Sequence, residues 1–281
     1  MEGGVEPEVD RGVKVEDRLR PGGHVVGAEE GKGAYLWEGL GPPRYSSPKM
    51  PAPKRPRHLS DYAVRSLGAV AAEGLGHEIS LGGALGLLHY LDYRSTHDVD
   101  AWWSPSATPD ERQRVLSAVE ASLQPLGEVR TRAWGEVVSI ELAIGGKTAF
   151  TFQIASRSAQ LAALERLPWA DVSLDSLADL IASKMTALVE RGAPRDFRDI
   201  HALCESALTS AGDCWDLWAE RQQRAGSVAD RQRARLAVQT HLARIAKHRP
   251  LESISEAEER DEANRVRSWF VEVFLDAAIL A

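Results

Sequence analysis

Cysteine is nearly missing from this chain: Cys204 and Cys214 are the only two among 281 residues. Both fall in a helical-looking stretch without metal-ligand company, which excludes a disulfide framework or a zinc site and leaves reduced, structural thiols. Long apolar runs are missing as well. No stretch approaches the roughly 20 residues of a membrane helix, although 43% of the residues are hydrophobic, as in an ordinary globular protein. The opening Met-Glu-Gly-Gly lacks the basic-then-apolar pattern of a signal peptide, so a cytoplasmic location without membrane contact is expected. An excess of positive charge is absent too. The net charge of −7 excludes a wholly basic nucleic-acid binder and leaves room for a local basic surface.

Periodicity divides what is present. Residues 1–58 are rich in Gly, Pro and charge and carry no helical or strand period, the signature of a disordered extension. Met50, followed by Pro51-Ala-Pro-Lys-Arg-Pro-Arg57, is a plausible true start. Order is expected from Leu59. Ser60 can cap a helix with apolar positions at Ala63, Leu67 and Val70. A short strand at 78–81 and a helix over 84–91 follow, then a strand over 98–103. Thr108-Pro109-Asp110-Glu111 predicts a capped helix to about Gln124. From 129 to 154 the period becomes two, predicting three strands with Gly145-Gly146 as a hairpin turn. From Leu174 the chain reads as helical, with a Ser255/Glu258 capping box for the last helix. The fold class is therefore α+β: a mixed sheet with flanking helices over 59–172 and a helical half over 173–281.

Chemistry concentrates in three places. Asp98 and Asp100 alternate on the predicted strand and project to one face, while Val99 points to the core. They follow the Gly82-Gly83 turn, Arg94 and Thr96. Lys184 lies on a helix, and Arg195-Asp196-Phe-Arg-Asp199 comes soon after. Nucleotidyl transfer needs neutralised phosphate charge, an activated hydroxyl and close backbone groups. Carboxylate-bound Mg²⁺, a lysine and a glycine turn supply these. Each piece alone has a plainer explanation: a tight turn, a solvated strand edge, a snorkelling lysine or a helix cap.

Together, Gly82-Gly83, Arg94-Ser-Thr-His-Asp98-Val-Asp100, Lys184 with Arg191, and Arg195-Asp196-Phe-Arg-Asp199 resemble the AbiEii/AbiGii-type nucleotidyltransferases. These are toxins of type IV toxin–antitoxin systems within the DNA polymerase β-like superfamily. The resemblance spans roughly residues 59–250. It implies a nucleotidyltransferase fold, Mg²⁺ on Asp98 and Asp100, and an NTP whose phosphates face Gly82, Gly83, Lys184 and Arg195. Arg94 and Thr96 would flank the metal, and Asp196 or Asp199 would complete the catalytic pocket. A neighbouring antitoxin gene and an RNA acceptor such as a tRNA 3′ end are implied with it. The hydroxyl of Thr96 stands where such toxins can be silenced by modification.

One expected feature is lacking. Many superfamily members carry a third carboxylate on a later strand, where this chain reads Thr148-Ala-Phe-Thr-Phe-Gln153-Ile-Ala155; Glu141 on the preceding strand is the available substitute. Arg221 to Arg249 holds eight basic residues against the single acid Asp230, a candidate RNA phosphate track or a solvated face paired with the acids that follow. The leading expectation is nucleotide transfer to RNA. The alternatives are nucleotidylation of a protein partner and a catalytically silent nucleotide-binding module.

Overall fold

In a computed structural model the described residues are 51–280. Of the extension expected over 1–58, residues 1–50 lie outside them, and with them Met50 as a start. Residues 51–58 form no helix or strand. The Lys54 amide nevertheless donates to His89 O at 2.7 Å, and the Arg55 guanidinium lies over the Trp169 ring.

A seven-stranded mixed sheet forms the first half. In chain order the strands are β1 (Ile79–Leu81), β2 (Val99–Trp103), β3 (Glu128–Trp134), β4 (Val137–Ile144), β5 (Lys147–Ala155), β6 (Glu165–Arg166) and β7 (Ser173–Leu174). Their spatial order is β3-β4-β5-β2-β1-β7-β6. The β3–β4–β5 meander is antiparallel, whereas β2 runs parallel to β5 and antiparallel to β1. Two helices supply apolar side chains to the core of this sheet. In α1 (Asp61–Ala72), Ser60 caps by accepting from the Tyr62 amide. In α3 (Pro109–Leu123), Thr108 and Glu111 close a reciprocal capping box. Leu67, Val70, Val115 and Val119 pack there against Ile140, Phe150 and Phe152. Along β2 burial alternates, with Val99, Ala101 and Trp103 buried and Asp100 and Trp102 on the other, more open face.

The second half is helical: α4 (Leu177–Glu190), α5 (Pro194–Glu205), α6 (Ala211–Arg224), α7 (Arg231–His248), α8 (Ala257–Trp269) and α9 (Leu275–Leu280). Leu180, Met185, Phe197, Trp215, Val238 and Phe270 form a second core. The short helix α2 (Gly83–Leu88) meets it because Gly86 has no Cβ; one would stand 2.7 Å from Leu180 Cδ2.

Three local expectations need correction. The helix expected from Leu174 begins at Leu177, because Leu174 pairs with Leu81 and the Asp175 amide donates to Leu81 O at 3.0 Å. The helix expected over 84–91 ends at Leu88, capped by His89. The Ser255/Glu258 capping box does not form: Glu256 is the N-cap, without a side-chain bond. A π-turn at Phe270–Phe274 joins α8 to α9, and the Phe270 and Phe274 rings stand 4.7 Å apart in the core.

Candidate active site

The glycine turn is held against β2. The Gly82 amide donates to Asp100 O at 2.8 Å, and Gly83 adopts φ +56°, a conformation that glycine takes without steric cost. A Cβ on Gly83 would lie 2.1 Å from Asp100 Oδ2, and one on Gly82 would lie 2.4 Å from Trp102 Nε1. Both positions thus demand glycine for close approach to the strand that carries the acids. Ala84, next in line, reaches the cleft itself.

That cleft has a volume of about 170 Å³. Asp98, just before β2, and Asp100, within it, stand among its lining residues together with Thr96, Thr151 and Gln153. Four cationic side chains join them: Arg94, Lys184, Arg191 and Arg195.

Three of these cations are seated by two fully buried acids of α5. Arg94 forks onto Asp199, Nε to Oδ1 at 2.8 Å and Nη2 to Oδ2 at 3.0 Å. Lys184 Nζ lies 2.7 Å from Asp199 Oδ2 and 3.8 Å from Asp196 Oδ1. The Tyr93 hydroxyl also donates to Asp199. Arg191 forks onto Asp196 at 2.9 and 3.0 Å. Asp196 and Asp199 are three residues apart on a helix, so both face α4 from one side. Arg195, between them in sequence, is exposed and has no ion-pair partner among the described residues.

Charge balance differs sharply between the two acid sets. Burial pushes the Asp100 carboxyl up; Lys184 opposes this and the like charge of Asp98 adds to it. Burial also works against ionised Asp199, yet the Arg94 bond and Lys184 outweigh it and hold that carboxyl below the ordinary range. Burial and Asp199 keep the Tyr93 hydroxyl protonated. One acid pair is thus saturated by guanidinium and ammonium groups, while the other stands incompletely compensated in the cleft.

The structure therefore brings Arg94, Thr96, Asp98, Asp100, Lys184 and Arg195 to a common cleft. Gly82 and Gly83 stand behind Asp100, and Asp196 and Asp199 lie beneath the cations rather than among the lining residues. Glu141 is not brought in. It sits on β4 opposite Thr151, and its nearest cation is Arg132 at 3.9 Å. Gln153, level with Asp100 in the β2–β5 register, occupies the place on β5 where a third acid was sought. Among the described residues no group of three or more His, Cys, Asp or Glu side chains is arranged to hold a metal. Thr151 is a lining residue that motif reading did not name. Arg191 was named with Lys184 but given no role, although it follows Lys184 by seven residues and two helical turns bring it to the same face.

The basic run resolves into mostly internal contacts. Arg221 donates to Ala159 O, and Arg224 to Gln160 O and Leu161 O. Arg231 pairs with Asp216, Arg235 bonds Leu275 O, and Arg249 pairs with Glu259. Arg244 donates to Arg191 O. A continuous phosphate track along these residues is not what the fold presents.

Solved structures with a related chain path include a candidate nucleotidyltransferase from H. pylori, at TM-score 0.45 and 17% identity, covering 79% of this chain and 99% of that one. ANT(2″)-Ia, solved with adenylyl-2″-tobramycin, gives TM-score 0.38 and 16% identity over 58% of this chain and 95% of its own. An antigenic nucleotidyltransferase-like protein from Paracoccidioides brasiliensis gives 0.34 and 14%, over 72% and 91%. No curated protein matches. The family profile described as nucleotidyl transferase AbiEii toxin, type IV toxin–antitoxin system, matches residues 65–268, a span that holds both acid sets, the glycine turn and all four cleft cations. The chain belongs to the AbiEii nucleotidyltransferase family and is a nucleotidyltransferase.

Proposed function

We propose that the protein transfers a nucleotide from an NTP to an RNA end, such as a tRNA 3′ terminus, with Mg²⁺, and so arrests growth as the toxin of a type IV pair. The observation that carries this reading is the meeting of Asp98 and Asp100 with Lys184, Arg191 and Arg195 in one cleft. The two carboxylates suit Mg²⁺, which is typically held by one or two acids and completed by substrate phosphates. The raised proton affinity of Asp100 beside Asp98 is the imbalance that a divalent cation relieves. When bound, Mg²⁺ polarises the α-phosphate and neutralises the leaving pyrophosphate.

The remaining work belongs to the chain's own groups. Lys184, Arg191 and Arg195 bind the triphosphate and stabilise charge as it moves onto pyrophosphate. Gly82 and Gly83 let the α2 turn press against Asp100 and set its carboxylate toward the phosphates. Arg94 and Thr96 flank the acids. Asp196 and Asp199 serve catalysis as positioning residues, because their oxygens hold Arg191, Arg94 and Lys184 in place. Asp98 is the exposed acid of the cleft and the one we assign to receive the proton as the acceptor hydroxyl attacks the α-phosphorus. In a division into a 59–172 core and a 173–281 helical domain, Asp98, Asp100 and Arg94 come from the first and Lys184, Arg191 and Arg195 from the second. No helix among the described residues is long and apolar enough to cross a membrane, and we place the reaction in the cytoplasm with its NTP and RNA. A cognate antitoxin encoded nearby is the expected partner.

The test is incubation of the purified protein with labelled NTPs, Mg²⁺ and total RNA. Label on RNA that disappears with Asp98→Ala supports the proposal. Label on protein alone moves the acceptor to a polypeptide. No label on either, with cellular toxicity intact in Asp98→Ala, overturns it.

A further inference from the structure

A second cavity, about 270 Å³, opens between α5, α7 and α8 and shares Arg195 with the catalytic cleft. Its walls are apolar: Phe197, Leu242, Ile245, Ile254 and Val266 line it. Arg195, Arg198, Arg249 and Arg267 also line it, against the two carboxylates Glu259 and Glu262. Both carboxylates are taken, by Arg249 at 2.6 Å and by Arg198 at 2.9 Å. Arg195 and Arg267 have no acid partner within ion-pair distance among the described residues, although Arg267 Nη2 donates to Arg249 O at 2.7 Å. The proximity of Arg249 weakens the hold of Arg267 on its proton, after burial.

We propose that this cavity receives the 3′-terminal nucleotide of the acceptor strand. The proposal rests on the reading of RNA as acceptor. The size is slightly below the roughly 300 Å³ at which sites for drug-sized molecules begin, a fit for one nucleotide unit. Apolar walls take up a base without reading its edge, and guanidinium planes stack on bases and bind phosphodiesters. The charge argues for the acceptor rather than a second NTP. Two guanidinium charges that no acid balances, Arg195 and the carbonyl-bonded Arg267, match one or two phosphodiester charges, whereas a triphosphate would meet Glu259 and Glu262 as well. The carboxylates can instead accept hydrogen bonds from ribose hydroxyls. Arg195 then stands between the two substrates, where the chain end must pass to reach the α-phosphorus.

Ala263 and Arg267 line this cavity but not the catalytic cleft. Ala263→Phe fills the space, and Arg267→Gln removes a charge that no acid balances. Transfer is measured against RNA and against NTP concentration, and the unfolding midpoints check that both variants fold. The expected result is a rise in KM for RNA of about tenfold or more, the scale of one lost charge-assisted contact, with KM for NTP unchanged. In parallel, wild-type protein is photocrosslinked to an RNA oligonucleotide ending in 4-thiouridine, and the expected crosslinks map to α5, α7 or α8. If wild type labels RNA but both variants keep its KM, or the crosslinks fall on the β3–β4 hairpin around Trp134, the cavity assignment is wrong and the RNA reading survives. If wild type labels no RNA, the RNA reading falls and this one with it.

Discussion

Replacing Asp199 by Asn asks whether this acid works by chemistry or by position. In the folded protein its carboxylate is fully buried and takes a two-pronged Arg94, Lys184 at 2.7 Å and the Tyr93 hydroxyl. The partners are nearly as enclosed, with 16% of the Arg94 side chain and 8% of the Lys184 side chain exposed. An amide offers one acceptor oxygen and turns an NH₂ toward donors. Arg94 then loses its counter-charge and Lys184 the nearer of its two acids, a change that costs about 3–5 kcal/mol. With a urea slope of roughly 2–3 kcal/mol/M, the unfolding midpoint should fall by about 1–2 M. Equilibrium urea unfolding reads this directly, beside transfer rates at a temperature where the variant is folded. Transfer should fall too, since Arg94 and Lys184 leave their places in the cleft. A large rate loss with an unchanged midpoint would refute the reasoning and make Asp199 a participant in proton transfer. A pH series adds a sign. Because the folded carboxyl titrates below its ordinary range, its contribution is complete above the unfolded value and disappears as pH falls through the depressed folded one.

Asp100→Asn should abolish transfer while leaving the unfolding midpoint equal or higher, because it removes a buried charge that burial and Asp98 disfavour. For the same reason the acid limb of the kcat/KM profile should lie above the usual carboxylate range, moving back toward it as Mg²⁺ is raised; a limb at ordinary carboxylate pH contradicts the assignment. Gly83→Ala combines φ +56° with a Cβ 2.1 Å from Asp100 Oδ2, and should lower kcat by about tenfold or more and cost about 1–3 kcal/mol of stability; wild-type kcat would show that the turn does not set Asp100. Gln153→Glu places a third acid level with Asp100, so half-maximal rate should occur at lower Mg²⁺, as a Mg²⁺ titration of transfer would show.

The cleft was legible in so far as its parts repeat local rules. Asp98-Val-Asp100 states its own geometry, since alternation on a strand needs no knowledge of the neighbours. The hairpin at Gly145-Gly146 and the Thr108–Glu111 cap are equally local, and both form at the expected residues. Partnership across long sequence separation was hidden. Arg94 and Asp199 lie 105 residues apart, so neither could be seen to saturate the other. That meeting makes Asp199 a seat for cations. The contacts of the basic run were hidden for the same reason. Charge was counted from sequence, whereas Arg224 spends its guanidinium on carbonyls 63 and 64 residues away. The two-residue strands β6 and β7 were too short for any period to announce them.

Division of labour between the two cores explains why two acids suffice for the cleft. The sheet presents Asp98 and Asp100 on a strand whose buried alternate residues, Val99 and Ala101, are fixed in the first core. The helices present Lys184 and Arg191 from α4, whose Leu180, Met185 and Leu188 are fixed in the second. A third carboxylate in the place of Gln153 would add negative charge to a cleft where Asp100 already resists ionisation. Three of the four cations, Arg94, Lys184 and Arg191, are instead seated by Asp196 and Asp199, outside the lining, and Arg195 stands without an acid partner, so positive charge stays available to phosphates. On the proposed reading, Mg²⁺ should bind the empty protein weakly and more tightly once a triphosphate brings its own oxygens. Nucleotide and Mg²⁺ should accordingly bind with mutual dependence: each raises the affinity of the other by the same factor.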